Sequence, residues 1–244
     1  MKKFFGTLLL LVALVGTYYL YTQGKPEIID TQIKEVGETS ESISITSEEI
    51  REENFTGSRP VIAGEGLLAQ TAREYVANTL KEFKAQADVD VPQMREDFGE
   101  ESPAASYSIE IIASQIESAK TGSVIISVYV YTGGAHGSSS YKTFTASKSN
   151  GEILSLADMI KQDSWEAFTA LVKEKLNAWQ PAGSEAPVVF EDDVASLTFD
   201  SLVNWALDNK NLILYWSQYE VGPGVLGAFS FPLSLQELDA FLLQ

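Results

Sequence analysis

An α+β fold follows from three features of this 244-residue chain. Residues 107–118 and 123–131 are dense in β-branched and aromatic side chains, and Thr121-Gly122 between them is a turn, so they form an antiparallel pair. Between 67 and 87 the apolar positions Leu68, Ala72, Tyr75, Val76, Leu80 and Phe83 recur every three or four residues, the stripe of an amphipathic helix. A second such stripe, Trp165, Phe168, Val172, Leu176 and Trp179, runs until Pro181 stops it. The expected architecture is an antiparallel β-meander with packed helices, preceded by an N-terminal membrane anchor helix.

The anchor is read from residues 1–23. Lys2 and Lys3 precede an uncharged run from Phe4 to Gln23, long enough to cross a hydrocarbon core as a helix. Basic residues on the short side favour a cytoplasmic N-terminus, which leaves the rest of a single-pass membrane protein outside the cytoplasm. A cleaved secretory signal is the competing reading. Tyr18, Tyr19 and Tyr21, however, stand where cleavage prefers small residues, and they suit the aromatic belt of a retained span. The chain has no cysteine, so neither a lipidated N-terminal cysteine nor a disulfide is available. The external domain must be held together by its core, for which an aromatic content of 11% is ample.

Residues 24–60 are polar and acidic and carry no sustained apolar periodicity; they read as a flexible spacer, with one short strand at 42–46. After the first helix, Pro92, Asp97, Gly99 and Pro103 mark a long acidic loop. The β pair follows, then the glycine-rich segment Tyr131 to Gly137 (YTGGAHG), then a third strand at 141–146. Asn150-Gly151 is a turn signal, Ser155 with Asp158 caps a strand-to-helix corner, and Asp163 with Glu166 opens the second helix. Beyond a loop with an acidic patch (Glu191, Asp192, Asp193), residues 203–207 and 212–219 flank the hairpin turn 208–211. A last strand at 227–232 leads to a terminal helix capped by Ser234 and Glu237.

The net charge of −17 disfavours contact with nucleic acid or anionic lipid and attracts cationic partners. His136 is the only histidine. A zinc site would need three carboxylates around it, an uncommon ligand set, so no metal or cofactor is expected. Ser138, Ser139 and Ser140 stand nearby, yet no G-x-S-x-G elbow accompanies them. Glu100 with Glu101, and Asp192 with Asp193, are paired carboxylates of the kind glycosidases use, but adjacent acids are expected by chance among 34. Asp208-Asn209-Lys210-Asn211 lacks the glycine and distal glutamate of a calcium loop. Gly222-Pro223-Gly224 makes either a protruding loop suited to external contact or a wide hairpin bend.

YTGGAHG, SKSNGEILSLADMI (147–160) and YWSQYEVGPGVLGAFSFPLS (215–234), taken in that order, resemble the extracytoplasmic DUF3298 (RsiV-like) domain, commonly preceded by a PdaC-type DUF4163 region. The resemblance divides the domain into a PdaC/DUF4163-like part at 61–150 and a DUF3298-like part at 151–244. It implies a non-catalytic ectodomain, alone on its anchor, of the kind that binds lysozyme. The alternative it leaves open is a peptidoglycan-modifying enzyme or an accessory to a peptidoglycan deacetylase. The partners implied are a cationic wall-active protein such as lysozyme, or peptidoglycan fragments. Contact is expected at Tyr131, Gly133, Gly134, His136, Tyr219, Glu220 and Pro223, which lie on the matching motifs. The loop at 222–227 lacks the aromatic residue usual in the family.

Overall fold

The computed structural model describes residues 42–243, apart from 101, 103, 104 and 182. The anchor expected at 1–23 and the spacer up to 41 lie outside the described residues. Among the described residues, no helix is long and apolar enough to cross a membrane.

The architecture is mixed α+β, with two sheets. The larger has six strands in chain order: β1 (Ser44–Arg51), β2 (Phe55–Ala63), β3 (Tyr107–Glu117), β4 (Thr121–Thr132), β5 (Ser138–Ser147) and β6 (Ile153–Leu154). Every pairing is antiparallel except β2 with β3, which is parallel. A parallel pair needs a long crossover, and helix α1 (Leu67–Phe98) supplies it. Two sequence expectations are corrected here. Residues 44–60, read as spacer, form β1 and most of β2. The pure meander is interrupted by a parallel step. The alternation in β1 is nearly all polar because it is an edge strand, mostly exposed, and so it carries little of the apolar signal that marks a buried strand.

Helix α1 also runs 11 residues beyond the expected end at Ala87, through Pro92. An interior proline removes one helical hydrogen bond and crowds the preceding turn. Tertiary contacts hold the continuation. Val91 is fully buried, Tyr107 Oη donates to Asp90 (3.1 Å), and the Arg95 guanidinium reaches Asn54 Oδ1 (3.2 Å) and the Glu53 carbonyl (3.0 Å). The C-terminal third of α1 is thus bound to the β1–β2 turn. Its inner face (Ala69, Ala72, Val76, Phe83, Ala87) packs on Phe55, Tyr107, Ile109, Ile111, Val124, Ile126 and Val128 to form the first core.

The second core belongs to the chain after β6. Strands β7 (Trp205–Leu207), β8 (Asn211–Trp216) and β9 (Phe229–Ser234) form an antiparallel sheet, covered by α2 (Trp165–Asn177), α3 (Glu191–Ser196) and α4 (Leu235–Leu238). Phe168, Val172 and Leu176 are fully buried as their spacing demands, while Trp165 stacks on Phe199 and Trp179 on Phe229, each at 4.6 Å between ring centroids. The cap of α2 is Ser164, with Asp163 one residue too early, inside a 3-10 turn (Gln162–Ser164). Glu191, Asp192 and Asp193 are the first turn of α3, where negative charge complements the helix dipole, and not part of a loop. Ser234 does cap α4, accepting from the Gln236 N–H.

The two sheets meet through a mostly polar seam. Because β6 covers only Thr145 and Ala146, the outer edge of β5 from 139 to 143 has no strand beside it. Side chains from the second half satisfy that edge. Asn204 Oδ1 accepts from the Thr143 N–H (3.2 Å), Ser217 Oγ from the Tyr141 N–H (3.3 Å), and Gln218 Oε1 from the Ser139 N–H (2.9 Å). In return, Thr143 Oγ1 accepts from the buried Trp205 N–H (2.7 Å), and Thr145 Oγ1 donates to the Trp205 carbonyl (3.1 Å). Ile125, Ala206 and Tyr215 close the apolar remainder of the seam, with Tyr141 edge-on to Tyr215 at 5.1 Å.

Thr143→Val keeps the shape and removes the acceptor, leaving the Trp205 N–H buried and unpaired. We expect a loss of about 1–3 kcal/mol in urea unfolding; a value near zero would contradict the assignment of the seam. Burial pushes the phenols of Tyr141 and Tyr215 upward from their ordinary value. The stability these groups contribute is therefore complete below about pH 10 and declines above it, where the unfolded chain ionises first. Tyr215→Phe should flatten that decline, by up to about 1.4 kcal/mol per pH unit. Urea midpoints that fall in parallel for both proteins between pH 9 and 11 would exclude it.

Candidate functional site

The seam sets two loops side by side. One is the turn after β4 (133–137), the other the excursion between β8 and β9 (217–228). Gln218 fastens the second to the first strand of the seam. Its N–H donates to the Ser139 carbonyl (2.9 Å), its Oε1 accepts from the Ser139 N–H, and its Nε2 donates to the Gly224 carbonyl (2.7 Å). The residue that follows, Tyr219, has φ +69°, the only positive φ among the described non-glycine residues. A side chain in that region costs about 1–3 kcal/mol and persists only where its surroundings fix it. Gly224 helps to fix it: a Cβ there would run into the hydroxyl end of the Tyr219 ring, so the ring occupies space that only a glycine leaves.

Tyr219 thereby reaches the lone histidine, 83 residues earlier. Tyr219 Oη lies 3.3 Å from His136 Nε2, and the rings are 6.4 Å apart. On the other side, His136 Nδ1 lies 2.9 Å from the Gly137 carbonyl. A carbonyl can only accept, so Nδ1 carries a proton; in the neutral ring Nε2 then accepts from the tyrosine hydroxyl. Both residues are exposed, Tyr219 at 54%.

The other expected contact residues distribute around this pair. Glu220 is exposed and turns back, its Oε2 accepting from the Ser217 N–H (2.7 Å). Desolvation by nearby protein atoms pushes its carboxyl upward, against the pull of its bonds to Ser217. Pro223 is half-buried and starts the 3-10 turn Gly224–Leu226, whose tip, Val225, is 74% exposed. Gly133 takes φ +79°, which a side chain would resist, and Gly134 is exposed at the crest of the turn. Tyr131 is half-buried near the end of β4, opposite Ser108.

Sequence reasoning missed Tyr129, Gln218 and the pairing of the two loops. Tyr129 looks like one more strand aromatic, but it is 39% exposed, and its ring lies against Gly137, where a Cβ would strike it. Two glycines at unrelated places, Gly137 and Gly224, each make room for one tyrosine ring. Their separations from the tyrosines, eight residues and five, have nothing in common, so the chain alone carries no signal for the pairing. Among the described residues, no group of three or more His, Asp or Glu side chains is placed to hold a metal ion. Glu100 pairs with Arg95 (3.7 Å), and on α3 Asp192 is exposed and Asp193 half-buried; Glu101 lies outside the described residues.

The chain is similar to a DUF3298 family member from Bacteroides fragilis, at 16% identity over 85% of this chain and 96% of that one, with a TM-score of 0.56. A DUF3298 family protein from Pseudomonas aeruginosa matches at 16% identity over 84% and 95% of the two chains, with a TM-score of 0.53. At such identity the likeness concerns the fold. No curated protein matches the sequence. Residues 157–236, which hold most of the second core and the Tyr219 loop, match the model of a protein family of unknown function, DUF3298.

Proposed function

We propose that this protein is a non-catalytic, membrane-anchored binding domain of the cell envelope, outside the cytoplasm, that recognises a cationic wall-active protein such as lysozyme. The observation that supports the reading best is the junction of His136 and Tyr219, which joins two glycine-rich loops into one exposed surface. Loops held by a rigid scaffold are where recognition residues collect. An exposed tyrosine supplies amphipathic contact area at low entropic cost, because only two side-chain torsions are frozen. The overall charge of −17 favours encounter with a basic partner and disfavours acidic ones. The finer resemblance, to the RsiV-like subtype with its PdaC-type region, belongs to this proposal as well.

Calorimetric titration with lysozyme should show binding whose affinity falls by about tenfold or more between 50 and 500 mM salt, as long-range attraction is screened. Absent or salt-independent binding would reject the reading. Gly224→Ala displaces the Tyr219 ring without touching either core, so lysozyme affinity should fall several-fold. The thermal midpoint should fall by no more than about 2–4 °C, roughly 1 kcal/mol for a domain of this size, because neither core is disturbed. Unchanged affinity would show that Tyr219 is not a contact.

A further inference from the structure

The sheet face opposite α1 is covered by the small sheet over part of β4 and β5 and, around Ile116, the far end of β3. Over β1, β2, the start of β3 and the end of β4 lies a groove of about 510 Å³. Register lines up its lining. Glu49 stands opposite Ser58, Ser58 opposite Glu110, and Glu110 opposite Tyr129, one row across four strands. Paired residues share a face, with Cβ atoms about 5 Å apart. The next row sets Arg51 opposite Thr56 and Thr56 opposite Ser108.

Glu49 is taken by Arg51 (3.0 Å), both at the exposed edge. Glu110 is exposed and has no ion-pair or hydrogen-bond partner among the described residues. The groove is thus left with one uncompensated negative charge, beside the Tyr129 ring, which lies against Gly137 and is 39% exposed. The oxygens of Ser58 and Ser108 stand next to Glu110 on its own and the neighbouring strand.

We infer that this groove is a seat for a guanidinium, the arginine side chain of a basic protein partner, with Glu110 as its counter-ion and the Tyr129 ring as its platform. A guanidinium carries five N–H donors and no acceptor, and its plane both forks a carboxylate and stacks on an aromatic ring. The groove answers each need: a free carboxylate, hydroxyl acceptors beside it, and a ring of the right chemistry next in the row. An anion would meet Glu110 head on, and an apolar side chain would strand it. The groove adjoins the His136 turn through Tyr129 and Gly137, so a partner lying on the two loops reaches it. The inference deepens the recognition reading above and rests on it for the identity of the partner.

The test uses N-acetyl-arginine amide as the probe and the full chain labelled at its tyrosine rings, with Tyr129→Phe assigning the Tyr129 signal. The probe should shift that signal saturably, and the lysine analogue should do so more weakly. Glu110→Gln should weaken the probe by about tenfold, the worth of a charged hydrogen bond. Glu82→Gln, which removes the same charge from the exposed face of α1, should leave it unchanged. Equal loss in both variants, or a Tyr129 signal that never moves, overturns the seat. Lysozyme binding that survives Glu110→Gln intact sinks the groove as part of the interface while leaving the loop surface standing. Arginine seating without any lysozyme binding does the reverse.

Discussion

The open edge of β5 is the constraint on which the rest of the molecule turns. A strand edge exposes a row of N–H and C=O groups that must find partners once they are buried. Here β6 is only two residues long, and the remaining positions are met by Asn204, Ser217 and Gln218 from the other half of the chain. The same contact has to satisfy the buried backbone of Trp205, which it does with two threonine hydroxyls of β5. Threonine suits both duties, since its branched Cβ favours the strand while its hydroxyl faces the seam. Such a seam has one register, because a shift by one residue would turn every hydroxyl to the wrong face.

That register places the two loops. Gln218 binds both the donor and the acceptor of Ser139, so the chain leaving β8 is fixed at a known distance from the start of β5, and the turn that carries His136 is only two residues further back. Tyr219 follows Gln218 directly and has little choice of direction, which explains why a tyrosine tolerates a left-handed backbone there. The strain is offset by the seam below it and by the space that Gly224 leaves for its ring. Order thus passes from an edge-strand requirement to a surface where an imidazole and a phenol touch.

Much of this fold was legible because its helices and inner strands have strong local periodicity. The α1 stripe, the β3–β4 pair with its turn, the β7–β8 hairpin and the Phe168–Val172–Leu176 face all declared themselves through spacing. What stayed hidden depends on distant contacts. Helix α1 passes Pro92 because Arg95 holds its end against the β1–β2 turn and Asp90 against Tyr107 of β3. The edge strand β1 shows little apolar alternation because so little of it is buried. On the surface, both motifs that carry His136 and Tyr219 stood out, yet their meeting required the seam, whose threonines and asparagine look ordinary in the chain. Tyr129 was invisible for the same reason, its exposure being decided by where the small sheet stops.

The loop surface and the neighbouring groove differ in what they offer a partner. The loops present amphipathic rings over a rigid base, and the groove offers a carboxylate without a counter-ion. Hydrogen exchange of the backbone amides with and without lysozyme tests most directly whether the seam has built one recognition surface from two loops. The account predicts that residues 131–137 and 217–227 gain protection together. Protection confined to one loop, or found instead along α1, would contradict it.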